Sequence, residues 1–149
     1  MSLEQYSVII NAPLKKSIKI INDPNFWLPF LPGFNQLTSV SDCTYLVDLF
    51  LSLGSVARKT LLTFHFETKT KTKTNNVHFT FSSTNKHISG LGELSIYQYS
   101  KNKIQLKVSL DLRLKGRKSL LFTPLLPSVK KTWAKNILNE VKNSLESEQ

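Results

Sequence analysis

The chain has 149 residues, with 20 Lys and Arg against 10 Asp and Glu and a single cysteine. That length suits one domain over residues 1–149 and buries roughly 68–70% of the unfolded surface. A lone Cys43 excludes an intrachain disulfide and a multi-cysteine metal site. No apolar stretch nears the ~20 residues of a membrane-spanning helix. The N-terminal MSLEQYSVIINAP has no basic segment followed by an apolar run, so no secretory leader is expected and the expected location is cytoplasmic.

The net charge of +10 raises the question of nucleic acid. Its distribution answers against specific recognition: Arg58, Arg113 and Arg117 are the only arginines, and the lysines are spread over every segment. Sequence readers of DNA depend on bidentate arginine contacts. A solvated basic surface is the expectation, with an acidic protein partner or an anionic membrane surface as the partners such charge would attract.

In chain order, residues 5–11 read as a first strand. Leu14, Ile18 and Ile21 then fall at helical spacing after Pro13, with Lys15, Lys16 and Lys19 outside. Asn22-Asp23-Pro24 ends that helix and caps a second short turn. Pro29, Pro32 and Gly33 forbid a long helix in FWLPFLPGF. The period then changes to two. Residues 37–40 form a weak strand, and Tyr45, Val47, Leu49, Leu51 and Leu53 alternate along the next before Gly54-Ser55. The segment 58–69 follows with Leu62, Phe64 and Phe66 on one face. The threonine–lysine run at 68–74 reads as a charged, solvent-facing hairpin arm leading to a turn at Asn75-Asn76. Val77, Phe79 and Phe81 share a face on the return strand.

Gly90 and Gly92 begin or bulge the strand that continues to Tyr99. Over 104–114, Ile104, Leu106, Val108, Leu110, Leu112 and Leu114 alternate with polar residues, which predicts one buried and one wet face. Gly116 ends the sheet. Phe122, Leu126, Val129, Trp133, Ile137, Val141 and Leu145 then form one stripe, with Lys130 and Lys131 off it. A main helix over 127–146 follows. The class is α+β: a curved antiparallel sheet of about six to seven strands, in the order β-α-α-β6-α, against a long C-terminal helix.

Ala12-Pro13, Asp23-Pro24, Leu31-Pro32-Gly33, Leu53-Gly54-x-Val56, Gly90-x-Gly92 and Leu114-x-Gly116, in this order and spacing, carry a resemblance over nearly the whole chain. The chain resembles the START and birch-pollen-allergen superfamily (SRPBCC), with its helix-grip fold. Within it, the sequence looks most like the CoxG family associated with carbon monoxide dehydrogenase. Some members of that family carry a membrane-binding tail. This sequence has no apolar extension after its helix, so anchoring a dehydrogenase to a membrane is not expected.

The resemblance implies a tunnel between sheet and helix, with the loop at 26–34 near its mouth. Its expected lining is Phe30, Phe34, Leu49, Leu51, Phe64, Phe79, Phe81, Leu106, Val108 and Leu110, with Leu126, Val129, Trp133 and Ile137 from the helix. The alternative is that these residues pack into a solid core. An empty pocket of ~300 Å³ would cost about 7 kcal/mol at ~24 cal/mol per Å³, so a dry void is not expected.

Catalytic candidates are few. By parity His65 and His78 face outward, His87 lies in a turn, and Asp48 and Asp111 are solvated. Tyr45 shares the inward parity, whereas Tyr97 and Tyr99 oppose it. No nucleophile with an adjacent base, phosphate loop or paired carboxylates emerges. No metal or other cofactor is expected. The expectation is a non-enzymatic binder or carrier of a lipid, isoprenoid or quinone, as monomer or homodimer. The alternatives are an accessory module docking on an acidic enzyme, with Leu46 and Phe50 marking a contact, and a small cyclase- or hydratase-like enzyme.

Overall fold

Period-two alternation of apolar side chains, interrupted by short polar turns, yields seven strands in one antiparallel sheet. The computed structural model describes residues 4–67, 75–117 and 119–147; the threonine–lysine run at 68–74 lies outside them. The strands are β1 (Glu4–Ile10), β2 (Phe34–Ser39), β3 (Thr44–Leu53), β4 (Val56–Phe66), β5 (Asn76–Ser83), β6 (Ile88–Ser100) and β7 (Lys103–Leu114). The helices are α1 (Leu14–Ile21), α2 (Pro24–Trp27), α3 (Ser119–Phe122) and α4 (Leu126–Ser147).

The sheet order is β1-β7-β6-β5-β4-β3-β2. Strands β2 to β7 form the expected meander, and β1 returns to pair with β7 from Glu4↔Leu110 to Ile10↔Ile104. Three strand boundaries differ from the sequence pattern. β2 starts earlier than residue 37, because pairing begins at Gly33, whose carbonyl accepts the Phe50 N–H at 2.9 Å. β4 starts at Val56, directly across the two-residue Gly54-Ser55 turn from Leu53. β6 starts at Ile88 and keeps regular register through Gly90 and Gly92; its irregularity lies at Gln98–Ser100.

Pro13 directly precedes α1, where it donates nothing that the helix needs. The Asp23 carboxylate accepts the Asn25 N–H and caps α2. The Trp27 indole N–H donates to the Ile21 carbonyl at 3.0 Å and ties α2 beneath α1. On α4 the buried stripe carries the predicted residues and also Lys130, Ala134 and Leu138. Lys130, expected off the stripe, is 9% exposed. Its aliphatic stem is long enough to lie on apolar surface while the ammonium seeks water.

α4 packs on β1 and β7. Lys142 Nζ donates to the Ile9 carbonyl at 2.9 Å, and the Glu146 carboxylate accepts the Asn11 N–H at 2.9 Å. Further toward the helix start, Asn136 Nδ2 donates to the Phe30 carbonyl.

The outer face of β7 is drier than its alternation suggests. Asp111, expected to be solvated, is 4% exposed, and Ser109 is buried beside it. β7 is interior to the sheet, and Arg113 Nε reaches back to Asp111 at 3.1 Å, so a paired charge is buried instead of a bare one. Asp48, also expected in water, is half-buried and accepts from Asn35 Nδ2 at 3.1 Å.

Candidate ligand-binding site

The inward side chains of β3, β4 and β5 meet helices α2 and α4 as a continuous run of rings. Tyr45 meets Phe66 at 5.6 Å between centroids, Phe66 meets Phe79 at 5.6 Å, and Phe64 stacks on Phe81 at 5.0 Å. Phe81 then touches Trp133 of α4 at 5.9 Å, and Trp27 closes the other end against Phe79 at 5.4 Å. These rings fill the middle of the grip.

These rings share one buried core with the 104–114 ribbon and the Trp133 stripe. Leu49, Phe64, Phe79, Phe81, Leu106, Val108, Leu110, Leu126 and Ile137 are all buried in one contiguous core, and none of them lines either of the two cavities described below. Phe30 and Phe34 are half-buried against the same core. Three of the expected lining residues border these two cavities. Leu51 borders the larger cavity; Val129 and Trp133 border the smaller.

The larger cavity, about 890 Å³, lies where the β3–β4 hairpin, the β5–β6 turn, the end of β7 and α3 come together. None of residues 26–34 lines it, whereas Pro32 and Gly33 of that loop line the smaller cavity. Its apolar walls are Leu51, Leu53, Val56, Leu61, Ile88, Leu114 and Phe122. The smaller, about 290 Å³, lies between Pro32-Gly33, Phe50 and the first turns of α4.

Parity explains how the strands aim these side chains. On β4, Leu62, Phe64 and Phe66 face the core, so Thr60, Arg58 and Val56 project from the same face farther along the strand. Leu51 pairs with Arg58 and Leu53 with Val56, which places an arginine among leucines at the cavity wall. The same rule, extended past Leu62, would have marked Arg58 and Thr60 from sequence. Ile88 and Leu114 are likewise partners across β6 and β7.

The polar groups of the β5–β6 turn are already engaged. Ser83 Oγ donates to Asn85 Oδ1 at 2.7 Å and accepts the Ile88 N–H, while Asn85 Oδ1 also accepts the His87 N–H. Thr60 Oγ1 donates to the Arg58 carbonyl at 3.1 Å. His87 borders the cavity, whereas His65 bonds Thr44 at 3.0 Å and His78 pairs with Glu93 at 3.1 Å on the outer face, as parity predicts. Tyr45 is buried as expected, and its phenol pKa is pushed up by burial and by the negative charge of Asp23, Cys43 and Asp42. Among the described residues no cluster of three or more His, Cys, Asp or Glu can hold a metal ion.

A conserved protein from Geobacillus kaustophilus superposes on the chain with a TM-score of 0.79 at 12% identity, over 96% of this chain and 94% of the other. A START superfamily protein from Mycobacterium smegmatis superposes with a TM-score of 0.70 at 13% identity, over 95% and 97%. This chain has the START-type helix-grip fold. Zhui aromatase/cyclase from a Streptomyces species shares that fold with a TM-score of 0.66 at 10% identity, over 95% and 94%. A family model described only as “-like” matches residues 1–145, and the chain belongs to the family so described. No curated protein matches in sequence. Identities this low establish the helix-grip architecture and leave activity to the site itself. Among the described residues no helix is long and apolar enough to cross a membrane.

Proposed function

We propose that the protein binds and carries a hydrophobic small molecule, of lipid, isoprenoid or quinone type, without transforming it. The observation that carries this reading is the 890 Å³ cavity, walled by Leu51, Leu53, Val56, Leu61, Ile88, Leu114 and Phe122. Its size falls within the ~300–1,000 Å³ of small-molecule sites. The START-type helix-grip fold, with an aromatase/cyclase among the proteins that share it, supports binding of a hydrophobic molecule at the level of fold. A non-enzymatic role is supported by the lining: among the described residues it holds no carboxylate to serve as a base, and Ser83 and Asn85 are hydrogen-bonded within their own turn.

The test is solvent extraction and native mass spectrometry of the purified protein, followed by titration with the neutral fluorophore Nile red. Bound lipid or saturable uptake is expected, and Thr60→Trp, which places an indole in the cavity, should abolish uptake while leaving the protein folded. No lipid and no uptake would remove the reading.

A second reading, docking on an anionic membrane surface, is favoured by α3. Leu120 and Leu121 are 86% and 72% exposed there, next to Arg117 and beside the cavity mouth. An apolar pair flanked by basic groups suits the interface of an acidic bilayer. Sedimentation with phosphatidylglycerol-containing vesicles tests it: Leu120→Ser with Leu121→Ser should release the protein, and equal binding by both forms would exclude it.

A further inference from the structure

We infer that the ligand of the large cavity is an amphipathic anion, its apolar body against Leu51, Leu53, Ile88, Leu114 and Phe122 and its acidic head at Arg58. This rests on the proposed binding role and narrows it to a chemical class. The chain has three arginines, and two of them, Arg58 and Arg117, border this cavity together with Lys59, Lys115 and His87. No Asp or Glu is among its described lining residues. A cavity meant for a neutral hydrocarbon gains nothing from such a rim.

Pairing separates Arg58 from the general basic surface. Arg113 has its carboxylate, Asp111, at 3.1 Å, and Lys59 has Asp48 at 3.9 Å. Arg58 and Arg117 make no ion pair among the described residues. Arg58 also lies, by parity, on the core-facing side of β4, opposite Leu51, and is exposed at the rim of the cavity. A guanidinium there offers a planar pair of donors that matches a carboxylate or phosphate. Burying the tail of the ligand removes water from that contact and strengthens it.

Displacement of Nile red from the 149-residue chain tests this with dodecanoate, dodecyl phosphate and dodecanol, which differ only in the head. Both anions, or one of them, should displace the dye at about ten-fold lower concentration than dodecanol, the size expected of one charge-assisted contact. Whichever anion acts more strongly identifies the head as carboxylate or phosphate. Arg58→Met should erase the preference while dodecanol still competes, and Arg58→Lys should restore part of it. Equal displacement by all three overturns the inference but leaves the cavity a neutral-ligand site. Displacement by inorganic phosphate at the concentrations effective for dodecyl phosphate also overturns it, by showing an anion site without the apolar component. Absence of Nile red binding would remove the cavity reading and this inference together.

Discussion

The ring of Phe79 occupies the volume a side chain on Gly92 would need: a β-carbon there would lie 2.4 Å from Phe79 Cζ and 2.9 Å from Leu110 Cδ2. The glycine is present because β5 sends an aromatic ring across its neighbour in the sheet. Gly92→Ala should therefore cost ~1–3 kcal/mol through overpacking, measured by denaturant unfolding. In a Phe79→Leu background the same alanine should cost less, because the two closest atoms it strikes belong to the Phe79 ring and only Leu110 Cδ2 remains. An additive double mutant would show that ring and glycine do not share this space.

Much of the architecture was legible in the chain because its causes are local. Alternation of Ile104 to Leu114 fixes β7, and the spacing of Leu126, Val129, Trp133 and Ile137 fixes the face of α4. The location of the cavity was not legible. Whether Phe64, Phe79, Phe81 and Trp133 stand apart or touch depends on ring rotamers and on how far the sheet curls, and neither is encoded in periodicity. The same limit applies to Gly90-x-Gly92, which looks like a bulge from sequence; a β-carbon on Gly90 would lie 2.4 Å from a Phe81 ring carbon and 2.3 Å from the Asp111 carbonyl oxygen. Burial of Asp111 also escaped alternation, which separates the two faces of a strand but does not say what covers the outer one.

Trp133 separates the two roles that sequence alone assigns to it. It is 4% exposed, contacts Phe81 and borders the small cavity, but does not line the large one. Trp133→Ala should lower stability by ~3–5 kcal/mol. Nile red affinity, measured at a temperature where the variant stays folded, should be unchanged. A parallel loss of affinity would place the ligand against α4 instead of at the β3–β4 hairpin.

At the far end of α4, Glu146 accepts the Asn11 N–H and pairs with Lys142 at 2.6 Å. The Asn11 hydrogen bond first, then the Lys142 contact, holds its pKa below the usual 4.5. A carboxyl whose pKa is depressed on folding adds stability above the unfolded value, and that stability is lost as pH falls through the folded one. Glu146→Gln should thus lower the melting temperature at neutral pH by a small amount, consistent with an exposed site. The difference from the parent should shrink below pH 4.5. A difference that persists undiminished in acid would mean the anchor acts through packing and not through charge.

Tyr45 has the opposite sign of pH dependence. Burial foremost, with Asp23, Cys43 and Asp42 adding, raises its phenol above 10.0 in the folded protein. The unfolded chain therefore releases this proton first as pH rises past 10.0, so stability declines from there until the folded pKa is reached. Below that window both states hold the proton and Tyr45 contributes no slope. Tyr45→Phe keeps the ring against Phe66 and removes the ionisation. Its unfolding free energy should decline less steeply than the parent's between pH ~9 and ~11, where free tyrosine titrates. The comparison is made by urea unfolding at each pH, because the variant shares every other titrating group. Matching slopes would mean that the Tyr45 hydroxyl is as well solvated as in the unfolded chain, with its charge free to form in the native state.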